Sequence, residues 1–211
     1  MKCSDFTGAF PRGARRKGVV LVVLTCLASA CAVAPPQPAQ LAEANFNGEA
    51  AVAAVRAAAA GGAARELDVQ PIRDPQVEDL RQQAAQLERA RKYVEAAAAL
   101  DQALQINAAD PALLQERAEA ALLQHRLDDA EGYAQKAFDS GSQVGPLCRR
   151  HWATIAQVRQ AKLDGVGAAM KLAQRQEHYD ALVPQRSQLT EAKKQAQAKI
   201  DACTVAAPAR Y

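Results

Sequence analysis

Tyr93-Val94-Glu95-Ala96-Ala97 and Leu127-Asp128-Asp129-Ala130-Glu131 begin 34 residues apart and open the same element twice. Working outward, Leu80, Ala84, Leu87, Tyr93, Ala96, Leu100 and Ala103 return as Leu114, Ala118, Ala121, Leu127, Ala130, Ala134 and Ala137, each displaced by the same 34 residues. Within each unit the apolar positions recur every three or four residues, as one face of a helix requires, then break near Arg91 or His125 and resume. Small residues at Ala84, Ala96, Ala103, Ala118, Ala130 and Ala137 fall where two paired helices must approach closely, and larger side chains fill the spaces between them. Asp74-Pro75 and Asp110-Pro111 each offer an N-cap followed by a first-turn proline. Beyond the first residues alanine dominates and β-branched runs are absent, and aromatics make up only 4% of the chain, so the expected class is all-α.

A period of 34 residues is that of the tetratricopeptide repeat, a helix-turn-helix unit. The resemblance is specific in Lys92-Tyr93-Val94-Glu95-Ala96-Ala97 and Leu127-Asp128-Asp129-Ala130-Glu131, and departs at the family's interhelical glycine, replaced here by Arg91 and His125. It covers residues 77–144 well and 145–182 loosely. It implies a short antiparallel helix-turn-helix solenoid over 74–205, closed by a C-terminal capping helix. A third pair is expected to run from Leu147 to Gln160, turn at Lys162-Leu163-Asp164-Gly165 and return from Val166. Pro184 interrupts that pattern, and Ser187 or Thr190 is placed to cap a last helix ending near Cys203.

The first residues carry a different message. Arg15-Arg16-Lys17 leads into the apolar block Val19 to Leu27, which ends in Leu27-Ala28-Ser29-Ala30-Cys31. Charged, apolar and small-residue regions in that order form an export signal, and the cysteine after the small residues resembles a bacterial lipobox. Where that family prefers leucine three residues before the cysteine, this chain has Ala28, with Leu27 one place earlier. A cut before Cys26 is poorer, because Leu24-Thr25 is a weak cleavage pair, and the residues after Arg15-Arg16 lack the Phe-Leu of twin-arginine signals. A block of about a dozen residues is also short of the roughly 20 that span a bilayer. The resemblance implies a signal over 1–30, a lipidated Cys31 as mature N-terminus and, with Ala32 rather than aspartate following, transfer to the outer membrane, facing the periplasm.

Residues 31–73 then read as a tether. Ala34-Pro35-Pro36-Gln37-Pro38 excludes a regular helix. Glu49 to Ala60 is nearly all alanine and valine with Arg56, a short helix of weak apolar face closed by Gly61-Gly62, and Leu67 to Ile72 is an extended connector. The tail, 206–211, is expected to fray.

Removing 1–30 changes the bulk properties. Of 26 basic and 23 acidic residues, five and one lie in the signal, leaving 21 against 22 and a charge near −1. That gives no support to the concentrated basic face of a nucleic-acid binder. Cys3 and Cys26 leave with the signal and Cys31 carries lipid, so Cys148 and Cys203 remain, and an oxidising periplasm predicts one disulfide between them. Both lie on apolar helix stripes, Cys148 with Trp152 and Ile155, Cys203 with Leu189, Ala192, Ala196 and Ile200.

No catalytic frame is visible. His125, His151 and His178 are scattered, without metal-ligand spacing, and read as surface or packing residues. In Arg149-Arg150-His151-Trp152 the two arginines could hold an anion or stack on a partner, but the preferred reading is a core tryptophan beside a solvated basic face. Asp128-Asp129 caps a helix, and Glu116 and Glu119 share a face expected to be exposed. The chain is therefore expected to be neither an enzyme nor a metal or cofactor protein. In tetratricopeptide proteins the first helix of each unit lines a groove for a peptide or helix. Those positions fall here on Arg81, Ala85 and Glu88, and on Gln115, Glu119 and Leu122. The implied function is a lipoprotein adaptor for a protein or peptide partner, in cell-envelope assembly. The alternative is an envelope lipoprotein whose repeats are a compact spacer with no client. The oligomeric state stays open.

Overall fold

The computed structural model describes residues 36–60 and 74–204. The expected signal, the Cys31 anchor, the Leu67 to Ile72 connector and the 206–211 tail lie outside the described residues. Among those described, the protein is all-α: α1 (Pro38–Asn45), α2 (Gly48–Ala60), α3 (Pro75–Arg89), α4 (Tyr93–Ile106), α5 (Pro111–Leu123), α6 (Leu127–Ser140), α7 (Pro146–Leu172) and α8 (Gln176–Ala202).

The two repeated units are the antiparallel pairs α3–α4 and α5–α6. Asp74 starts the first by accepting a hydrogen bond from the Gln76 amide at 2.8 Å, and Asp110 starts the second by accepting from Ala112 and Leu113 at 2.8 and 3.1 Å. Each pair turns through one left-handed residue, Arg91 (φ 58°) and His125 (φ 59°). The departures from the interhelical glycine thus keep the glycine-like backbone and carry its strain. Ala103, Ala118, Ala130, Ala134 and Ala137 are fully buried, as close helix approach demands. One apolar cluster joins α3 and α4 to α5, and another joins α5 and α6 to α7 and α8 around Cys148, Trp152 and Ile155.

The C-terminal hairpin corrects the expected third pair. Helix α7 runs 27 residues without turning at 162–165. Gly165 serves close approach, not a turn: a Cβ there would fall 2.7 Å from that of Ala42 on α1. Lys162 is fixed by ion pairs to Asp128 and Glu131 of α6 at 2.7 and 2.8 Å. Helix α8 likewise passes through Pro184, and Thr190 lies mid-helix, donating back to the Arg186 carbonyl at 2.8 Å rather than capping an end. A proline costs one backbone donor, and the long packing of α8 along α7 carries the helix past it. Cys148 and Cys203 meet as a buried disulfide with Cα atoms 5.7 Å apart.

Residues 38–60 hold two packed helices where the sequence predicts tether and one marginal helix. Ala42, Ala51, Val52 and Val55 bury themselves against Leu122, Leu123, Ala153, Val158 and Ala161 of α5 and α7. Gln37 receives the chain with a capping box closed by Gln40, so Pro38 sits at a first turn instead of excluding a helix.

Candidate functional site

Beside the positions of α3 and α5 expected to receive a partner lies a helix of the same chain, α2, packed on α5 and α7. Gly48 lets α2 in. A Cβ at this position would lie 2.5 Å from the Leu122 carbonyl oxygen, so Leu122 is sealed beneath α2 rather than offered to a partner. One turn from the other end, Arg56 forms a bidentate pair with Glu88 of α3 at 2.8 and 2.9 Å, and its Nε reaches Glu119 of α5 at 2.8 Å. The hydrogen bond to Glu88 is the main reason that the Arg56 guanidinium holds its proton still more tightly than usual, against the opposing pull of burial. Arg149 of α7 closes the C-terminal end by donating to the Ala58 and Ala59 carbonyls at 3.1 and 2.8 Å. The last carbonyls of a helix lack intrahelical partners, and a guanidinium also answers their partial negative charge.

Beneath α2 lies a buried polar chain. Glu119 accepts from Arg150 at 2.5 and 3.0 Å and from Gln115 Nε2 at 2.9 Å, and the same Gln115 nitrogen donates to Thr154 at 2.9 Å. The Gln115 oxygen is then left to accept, which makes His151 Nδ1, 2.7 Å away, the donor. His151 is fully buried, its Nε2 without a partner among the described residues. Burial first, and then the charge of Arg150, pushes its pKa down to about 3, so it is neutral near pH 7.

This arrangement overturns three sequence readings. Gln115 and Glu119 are fully buried, not groove-facing, because α7 and α2 cover the face of α5 that bears them. Arg149 is buried at 2% exposure and Arg150 is bound to Glu119, so the pair is structural rather than a solvated basic face. Trp152 is core as expected, edge-on to Phe138 with ring centroids 5.1 Å apart. Glu116 is not a spare carboxylate either, because it pairs with Arg81, which also holds Glu78 at 2.7 Å. His125 stands in its turn, its Nδ1 3.0 Å from the Glu43 carbonyl and its ring edge-on to Phe46, and His178 is an exposed neighbour of Glu177.

Beside α2 the groove stays open. A cleft of about 660 Å³ runs between α2 and α3, with Arg81, Ala85 and Glu88 on its wall as the sequence predicts. Its floor is small and apolar, made of Ala84, Ala96, Leu100, Ala120 and Leu123, and its rim carries Arg56, Glu78, Arg89, Glu116 and Arg150, which the sequence reading did not assign to it. A lone arginine in an alanine and valine run was the available signal for Arg56. Among the described residues, no group of His, Cys, Asp or Glu is placed to hold a metal ion, and no helix is long and apolar enough to cross a membrane. Fold and site together define an all-α helical repeat protein with a partly self-filled groove. No family model and no curated protein matches the chain.

Proposed function

We propose that the protein is a lipid-anchored adaptor of the outer membrane, facing the periplasm, whose tetratricopeptide-like groove receives a protein or peptide segment during cell-envelope assembly. The open cleft carries this reading. An apolar floor of alanines and leucines suits the backbone and small side chains of a bound segment, while the arginines and glutamates on the rim suit a segment carrying both charges. The anchor rests on Leu27-Ala28-Ser29-Ala30-Cys31. Metabolic labelling with a fatty acid should mark the wild-type chain and miss Cys31→Ser; a labelled mutant refutes the anchor.

Crosslinking a tagged, lipidated protein in intact cells, with neighbours identified by mass spectrometry, tests the groove. Arg81→Gln with Arg89→Glu changes the rim and leaves the buried Glu119 in place, so a neighbour lost in that variant marks a groove client. Neighbours unchanged by it favour a second reading, supported by α2 filling the concave face: a structural lipoprotein whose repeats are a compact spacer with no client.

A further inference from the structure

The groove treats α2 as a receptor treats a ligand. Gly48, Val52 and Val55 lie on one face at helical spacing, and apart from Ala51 they are all that α2 buries. Ala58 adds a partly buried apolar contact, and polar contacts hold α2 at its edges. Glu49 accepts from Tyr93 Oη at 2.6 Å and pairs with Arg91 at 3.3 Å, Arg56 enters the Glu88 and Glu119 fork, and Arg149 caps the last carbonyls. A small apolar centre with a charged rim is also the make-up of a non-obligate interface.

A second observation points the same way. Arg91 and His125 are the described residues other than glycine with positive φ, and both direct their side chains to the N-terminal helices, Arg91 to Glu49 and His125 to the Glu43 carbonyl and Phe46. Backbone strain is thus spent at both turns on residues that grip one segment. In chain connectivity that segment joins α3 solely through residues 61–73.

We infer that α2 is a self-bound occupant of the groove, and that the groove takes in its place a partner helix of the same chemistry. Such a helix has a glycine at the close contact and a carboxylate beside it. Valine-sized residues stand four and seven positions on, an arginine stands eight positions on, and the helix ends within a turn of that arginine. This rests on the adaptor reading and adds to it that the client is helical and competes with α2. Each element of the pattern meets a fixed feature: the Leu122 carbonyl excludes a Cβ, Tyr93 and Arg91 take the carboxylate, Glu88 and Glu119 take the arginine, and Arg149 takes the free carbonyls.

The test uses the whole mature chain and a labelled peptide of residues 36–60 as probe. Chain carrying Gly48→Ala and Arg56→Glu, which spoil its own occupant, should bind the peptide at least about ten-fold more tightly than wild-type chain does, with affinity lost when the peptide itself carries Arg56→Glu. Equal binding by both chains, or no binding by either, overturns the inference. So does a double variant that loses its helical circular dichroism, since α2 is then an integral part of the fold. Hydrogen exchange on the wild-type chain gives a second reading: amides of α2 should open together at least about ten-fold more often than those of α5 and α7, and equal protection overturns it too. Failure here leaves the crosslinking result in cells untouched, and loss of the crosslink leaves the peptide titration untouched.

Discussion

Arg56 Nε lies 2.8 Å from Glu119 Oε2, joining a half-exposed arginine to a carboxylate whose side chain is 1% exposed, across 63 residues of chain. Two arginines and an amide surround the buried Glu119 carboxylate, and a buried ion pair that loses a partner is costly.

Arg56→Met keeps most of the side-chain stem and removes the charge. Arg150 still neutralises Glu119, so the expected loss is about 1–3 kcal/mol rather than the full cost of an orphaned ion. Urea unfolding measures it. Combining Arg56→Met with Glu119→Gln should cost less than the two single losses added, and strict additivity would mean that the pair is not coupled.

His151 makes stability depend on pH in a defined direction. Its folded pKa is lowered to about 3 from an ordinary 6.5, so between those values the unfolded chain binds the proton and the folded one does not. Stability is therefore fully present above pH 6.5 and falls as pH drops toward 3, by up to about 1.4 kcal/mol per unit. The interval from pH 6.5 to 5 is the one to read, before carboxylates titrate. His151→Asn should flatten the stability curve there, and an unchanged slope would show that the imidazole is protonated in the folded state.

The helical class, the two pairs and the disulfide were legible because each is written in local spacing: a 34-residue offset, Asp-Pro caps and two cysteines on apolar stripes. What was not legible depends on close approach between distant segments. Gly165 has the look of a turn but is a contact point for Ala42, and Glu119 has the look of a surface position but lies under Arg56, which comes from a stretch with too little apolar surface to announce a packed helix. Polar residues drawn inward by such partners carry no hydrophobic signal. Gln115 and Glu119 are buried for that reason and Leu122 because α2 covers it, while Arg81, Ala85 and Glu88 line the open cleft.

The Cys148 to Cys203 link closes a separation of 55 residues, tying the start of α7 to the end of α8. Constraining a loop of that length in the unfolded chain is worth about 4 kcal/mol. Cys148→Ala with Cys203→Ala should lower stability by that order, and peptide mapping of wild-type protein under non-reducing conditions should recover the linked pair. Two free thiols in protein isolated without reductant would remove the basis of the prediction.

Gly165 and Gly167 stand two residues apart on α7 and should respond to alanine with opposite signs. Intrinsic helix propensity favours both substitutions by roughly 1 kcal/mol. At Gly167 nothing lies within 4 Å of the new Cβ, so the propensity gain should appear nearly undiminished. At Gly165 the Cβ would meet the Ala42 nitrogen at 2.8 Å and the Ala42 Cβ at 2.7 Å, backbone and Cβ of α1 rather than the far end of a flexible side chain. Overpacking of this kind costs about 1–3 kcal/mol and outweighs the propensity term. Thermal unfolding of the two variants side by side decides it: Gly167→Ala above wild type and Gly165→Ala below is the expected order. Stabilisation by both would show that α1 does not rest on α7 where the geometry puts it.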